Sequence, residues 1–294
     1  MGIVEAALIG LVQGLTEFLP VSSTAHVRIL PALLDKPDPG AAFTAAIQIG
    51  TLLAVLIYFR KDLAEAFAGW LGSLTGKKFD RSKARMGWAV VLGTIPIVVL
   101  GVAFQSSIER ELRSLLVVAW SLIGMGLVLL VAEAVGRRKR GEADVMPADG
   151  VWVGFWQSLA LVPGMSRSGS SIAGALFAGF GRAEAARFSF LLSVPSVLAA
   201  GVYSVLRHRE SLLPTWLGGQ GEMFAQMLVA NAAAFVSGYA AIAFLIRFLK
   251  RHGTFVFVVY RVALGAILLW MVHSGRLSPL AGLPEQTRAP APAR

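Results

Sequence analysis

Two hydrophobic runs in this chain break midway into proline, serine and charge, and that interruption restricts what the chain can fold into. Residues 2–19 run into Pro20, Val21, Ser22, Ser23 and Thr24 and resume as a short, mixed segment. Residues 150–162 run into Pro163, Gly164, Met165, Ser166, Arg167 and Ser168 and resume over 169–181. The resumed pieces are too short to cross a bilayer, which takes about 20 residues. Backbone that leaves its helix inside hydrocarbon must be buried by protein or line a hydrated cavity. Both runs therefore predict re-entrant helix–loop–helix elements.

Six other stretches are unbroken and of spanning length: 41–59, 87–105, 115–135, 186–206, 223–246 and 254–273. Hydrophobic residues make up 56% of the 294 and charged residues only 15%, against about 25% charged in soluble domains. The expected fold is an all-α polytopic membrane protein: six transmembrane helices plus two re-entrant helix–loop–helix elements. The net charge of +10 comes from 27 Lys and Arg against 17 Asp and Glu. The clusters lie between hydrophobic stretches, at 60–85 and at Arg137, Arg138, Lys139 and Arg140. That placement marks cytoplasmic loops, not a nucleic-acid surface, and the C-terminus then falls outside. Cysteine is absent, which removes disulfides, thiolate metal sites and a cysteine nucleophile. No basic leader opens the chain, so a signal peptide is not expected. The Pro-rich end, 275–294, reads as a disordered tail.

The broken runs resemble each other. Gly10 and Gln13 precede Ser22, as Gly154 and Gln157 precede Ser166, and Gln leads Ser by nine residues both times (22 − 13 and 166 − 157). Three spans follow each. The chain thus divides into a first repeat, 1–136, and a second, 150–274. An odd number of spans per half inverts the second relative to the first, an inverted-topology repeat. Secondary transporters are commonly built this way, so a lipid-phosphate carrier stands beside an enzyme until the site residues are weighed.

Ionisable groups inside apolar segments are costly and mark function. Gln13 and Glu17 are four apart, hence on one helical face. Glu17 can ligate a hard divalent cation or activate water, with the Gln13 amide in support. Ser22 and Ser23 stand where helix N-caps stand; Thr24 follows them, and His26 on the next turn is a candidate acid, base or nucleophile. The second loop is an anion cradle. Ser166, Ser168, Ser170 and Ser171 offer hydroxyls, Arg167 a planar fork for phosphate oxygens, and the helix after it an N-terminus. No Gly-Lys-Ser/Thr follows, so it is not a Walker A loop. Arg261 is a third intramembrane charge, expected either to pair with Glu17 or to reach a second phosphate.

These residues resemble the bacterial undecaprenyl-diphosphate phosphatase family, also called bacitracin-resistance proteins. The resemblance rests on QGLTEFLPVSSTAH at 13–26 and PGMSRSGSS at 163–171, supported by FSFLLSVP at 188–195 and the pair Tyr260-Arg261. It implies that Gln13 and Glu17 fill a Glu/Gln-x-x-x-Glu motif. Ser23 and His26 would match the proposed nucleophile and acid–base residues, and Ser166, Arg167 and Ser168 would bind diphosphate. Gln13 stands where some members have Glu, and Ser171 where many have Thr. The implied reaction is hydrolysis of undecaprenyl diphosphate to undecaprenyl phosphate, with Mg2+ or Ca2+ as cofactor, in the bacterial cytoplasmic (inner) membrane. Ser23, His26 and water all stand as candidates to attack phosphorus.

Overall fold

The structure is a computed structural model that describes residues 2–34, 40–76, 78–104, 112–207 and 221–283. Among them the chain is helical, with no strand beyond an isolated bridge between Arg140 and Phe180. Helices α1 (Ile3–Phe18) and α2 (Ser23–Leu33) form a first hairpin, and α7 (Pro147–Ser158) and α8 (Arg167–Phe177) a second. Between them lie α3 (Gly40–Tyr58), α4 (Arg60–Thr75), α5 (Arg81–Ala103) and α6 (Leu115–Val135); α9 (Arg182–Arg207), α10 (Gly221–Leu249) and α11 (Phe255–His273) follow. Among the described residues, five helices, α5, α6, α9, α10 and α11, are long and apolar enough to cross a membrane. They present Val99, Val131, Val236 and Ile267 outward, the surface of a multi-pass membrane protein. The span expected at 41–59 is helical as α3, 19 residues long. Its Thr44 and Gln48 face an internal cavity rather than lipid.

Small residues set how the hairpins seat. On α1, Gly10 lies against the Ala230 carbonyl of α10; on α7, Gly154 lies against the Gly93 carbonyl of α5. A Cβ at either place would collide with backbone, so α1 packs tightly onto α10 and α7 onto α5. Helices α6 and α11 meet reciprocally: Gly126 faces Val262, and Gly265 faces Ile123. The two pairings are the same contact read in opposite directions, since 265 − 126 and 262 − 123 are both 139.

One end of the bundle is laced by ion pairs. Glu133 at the end of α6 holds Arg182 of α9, lies 3.3 Å from Arg138, and accepts from the Thr254 amide before α11. Arg187 reaches Asp62 at 2.6 Å, and Arg140 reaches Asp149 at 2.5 Å. The Asp149 hydrogen bond raises the Arg140 guanidinium pKa still higher. Singly, such half-exposed pairs contribute about 0–1 kcal/mol; together they align the helix ends on one face.

Of the segment 60–85, expected from its charges to be a loop, 60–75 form α4 and 81–85 open α5. Asp62 sits in the first turn of α4, and Gly76 closes that helix in a left-handed conformation at φ 66°, a usual stop signal. Ala66, Gly69 and Gly72 let α4 lie close on α5, leaving Phe67, Leu71 and Leu74 outward. Residues 275–283, the start of the tail expected to be disordered, are folded against the bundle. Leu277 and Leu283 are buried, the Leu115 amide donates to the Pro279 carbonyl at 2.9 Å, and Arg28 donates to the Ala281 carbonyl. Apolar side chains at 277 and 283 anchor it, a signal masked by the surrounding Pro and Gly. The remainder, 284–294, lies outside the described residues.

Candidate active site

Both hairpins turn on a serine in the left-handed region. Ser22 has φ 75° and Ser166 has φ 70°, each a strain of about 1–3 kcal/mol for a residue with a Cβ. Each then caps the helix it starts: the Ser22 hydroxyl accepts from the Ala25 amide at 3.4 Å, and the Ser166 hydroxyl from the Gly169 amide at 3.1 Å. The hydroxyl two residues on stands alike, Thr24 3.1 Å from Ser22 and Ser168 3.2 Å from Ser166. Capping is thus the work of Ser22 and not of Ser23.

At the tips of the hairpins the chemical groups converge. Gln13 donates to Glu17 Oε2 at 2.9 Å, and the Ser23 hydroxyl donates to the same oxygen. The other oxygen, Oε1, holds Arg167 across the gap between hairpins. Glu17 and Arg167 expose only 5% and 17% of their side chains, so neither charge is tolerable without the other. Ser168 fastens the second hairpin to the first by donating to the Leu19 carbonyl at 3.0 Å.

A cavity of about 840 Å³ opens from this point. Glu17, Ser22, Ser23, Thr24, Ser166 and Arg167 line its polar end; Ile97, Val98 and Val102 of α5 and Leu198 and Val202 of α9 line an apolar flank. The shape suits a phosphate head on a hydrocarbon tail. Gln48, Ser196, Arg28 and Arg113 also line it and were passed over in the sequence. Arg28 carried a usable signal, a charge within a short apolar helix.

Four expected site residues sit elsewhere. Arg261 is fully buried and neither meets Glu17 nor lines the cavity. Its nitrogens donate to the carbonyls of Pro20, Ser121, Leu122, Gly164 and Met165, at 2.8–3.3 Å. The broken loops expose carbonyls that no water reaches in hydrocarbon, and one guanidinium serves both loops and α6. Ser171 donates to the Arg167 carbonyl at 2.6 Å and meets Ser189 of α9, away from the cavity. Ser168 is spent on the Leu19 carbonyl. His26, expected beside Glu17 and Ser23, turns its ring toward Tyr260 and does not line the cavity.

These features define a class: a helical membrane protein that holds a carboxylate, a hydroxyl and a guanidinium at the polar end of a lipid-shaped cavity. The sequence places the chain within that class more narrowly. Residues 6–267 match the family described as Bacitracin resistance protein BacA, and the chain belongs to that family. It is 47% identical over 290 residues to the undecaprenyl-diphosphatase of Myxococcus xanthus (strain DK1622), covering 96% of this chain and 93% of that protein. The undecaprenyl-diphosphatase of Chlorobium phaeobacteroides (strain DSM 266 / SMG 266 / 2430) is 48% identical over 287 residues, 95% of this chain and 100% of the relative. That of Chloroherpeton thalassium is 47% identical over 285 residues, 94% and 99%.

Proposed function

We propose that this chain hydrolyses undecaprenyl diphosphate to undecaprenyl phosphate and inorganic phosphate in the bacterial cytoplasmic membrane. The reaction returns the lipid carrier to cell-wall synthesis and lowers the free diphosphate that bacitracin binds. The observation that carries the reading is the meeting of Glu17, Ser23 and Arg167 at the polar end of an otherwise apolar cavity. The kinship with undecaprenyl-diphosphatases along nearly the whole chain supports it.

The prenyl chain lies along α5 and α9 while the diphosphate reaches the hairpin tips. Arg167 holds Glu17 by one edge of its guanidinium and offers further donors to the terminal phosphate. The Ser23 hydroxyl already donates to Glu17, so a proton acceptor is in place. As Ser23 Oγ bonds to the terminal phosphorus, its proton passes to Glu17, and the bridging P–O bond breaks to release undecaprenyl phosphate. Glu17 passes that proton to the departing undecaprenyl phosphate; water then attacks the phosphoserine, giving a proton to Glu17, which hands it to Ser23 Oγ as inorganic phosphate leaves. General-base help of this kind contributes about 10²–10⁴ in rate.

A divalent cation, Mg2+ or Ca2+, belongs to the proposal. Among the described residues no group of three or more His, Asp or Glu stands together. Glu17 supplies one carboxylate, and Gln13 Oε1 is a buried oxygen that accepts no hydrogen bond. Those two oxygens would be the protein donors that hold a hard cation beside a phosphate substrate. When bound, it supplies neutralisation of charge on the phosphoryl group.

The architecture proposed is six spans and two re-entrant hairpins in an inverted repeat. Each first hairpin helix seats on the other half's α5 or α10, and α6 meets α11 reciprocally, which supports that reading. The test is phosphate release from farnesyl and undecaprenyl diphosphates by purified protein, with and without chelator. Release that chelation abolishes is the expected result. Binding of the lipid without release would overturn the reading in favour of a lipid-phosphate carrier.

A further inference from the structure

His26 is the residue that chemistry alone would choose as acid–base catalyst, yet its ring is fully committed elsewhere. Nδ1 lies 2.7 Å from the Ser22 carbonyl, and Nε2 lies 2.6 Å from the Tyr260 hydroxyl. The Tyr260 ring stacks on the imidazole, 7° from parallel with centroids 5.6 Å apart. A carbonyl only accepts, so Nδ1 carries a hydrogen; in the neutral ring Nε2 then accepts from the Tyr260 hydroxyl.

The bonded carbonyl belongs to the strained left-handed serine directly before Ser23. The main-chain bond to it from the His26 amide is long, 3.3 Å. The imidazole therefore makes the shorter contact that fixes the peptide leading into Ser23.

The second hairpin repeats this arrangement without a histidine. Ser170 corresponds to His26, since 170 − 166 and 26 − 22 are both four. Its hydroxyl donates to the Ser166 carbonyl at 2.8 Å, and that carbonyl also belongs to a left-handed serine. Ser170 is fully buried, off the cavity. In both hairpins this position anchors the cap carbonyl, and in one of them the anchor has no acid–base chemistry to offer at all.

We infer that His26 and Tyr260 are positioning residues: the Tyr260 hydroxyl fixes the Nδ1-protonated form of His26, which holds the Ser22 peptide so that Ser23 faces phosphorus. The inference rests on the proposed hydrolysis but names a role for His26 distinct from proton transfer.

Two measurements test it. In protein labelled with 15N-histidine and held in lipid nanodiscs, the signal lost in His26→Asn should report a neutral ring protonated at Nδ1. A ring protonated at Nε2 alone overturns the inference, whatever the activity. The second measurement is kcat and KM for farnesyl diphosphate. Asn places an amide N–H where Nδ1 stands, whereas Gln places its amide near Nε2. His26→Asn should keep kcat within about tenfold of wild type and above His26→Gln, with KM little changed. A proton-transfer role would cost both variants about 10²–10⁴, and equal losses of that size would sink the positioning role. Tyr260→Phe keeps the stack and removes the hydroxyl; it should lower kcat several-fold at unchanged KM, and wild-type kinetics in that variant would count against Tyr260. Wild-type protein that releases no phosphate would refute the hydrolysis itself, while the ring measurement would still judge the anchor.

Discussion

Replacing Glu17 with Gln removes one charge from a pair that is buried on both sides, and the consequences divide between stability and chemistry. Glu17 answers to Arg167, Ser23 and Gln13 at once. Breaking a buried pair from one side costs about 3–5 kcal/mol, because the remaining charge stays desolvated. Gln keeps an acceptor oxygen, and Arg167 retains 17% exposure toward the cavity, so the lower end, about 3 kcal/mol, is expected. The loss of a proton acceptor from Ser23 adds about 10²–10⁴ in rate. The double variant Glu17→Gln with Arg167→Gln separates the two effects: with both charges gone, stability should recover most of the loss while turnover stays absent. The assay is thermal unfolding in detergent beside phosphate release from farnesyl diphosphate. Release by Glu17→Gln within tenfold of wild type would refute the base assignment. A double variant no more stable than Glu17→Gln would refute the pair energetics.

Arg167→Lys should recover only part of what Arg167→Ala loses, because a lysine cannot hold Glu17 and phosphate on two edges of a fork; the alanine variant is expected to lose about 10²–10³ in single-turnover rate, and full catalysis by it would return the second loop to a structural turn. In this cysteine-free chain, Ser82→Cys should be shielded from an impermeant thiol reagent in intact cells and Ser278→Cys labelled; labelling of Ser82→Cys from outside would reverse the topology.

What was legible in the sequence is what depends on residue type and short spacing. The two breaks and the four-residue step from Gln13 to Glu17 hold in three dimensions, while the partner of Glu17 is Arg167 where Arg261 was the candidate. What was hidden depends on direction and surroundings. Arg261 looked functional because buried charge is expensive, but the five carbonyls around it come from residues 20 to 165, and no local pattern announces them. His26 is near Ser23 in sequence yet its ring bonds the Ser22 carbonyl and a tyrosine 234 positions away, not Ser23 or Glu17. Segment 60–85 read as a loop because its charges drew attention from Ala66, Gly69 and Gly72, whose smallness lets α4 lie on α5.

The two hairpins share one backbone device, a left-handed serine cap, but the residues beside that cap differ. Ser23 comes after one serine and Arg167 after the other; Gln13 and Gln157 match, while Glu17 corresponds to Leu161. A bundle symmetric in its side chains as well would present the same face to a head group arriving from either leaflet. Here one half carries the hydroxyl and its proton acceptor and the other half carries the cation. The likeness of the two hairpins is therefore broken at residues that line the cavity. A lipid diphosphate meets a site with two unlike sides, though one kind of backbone turn builds both.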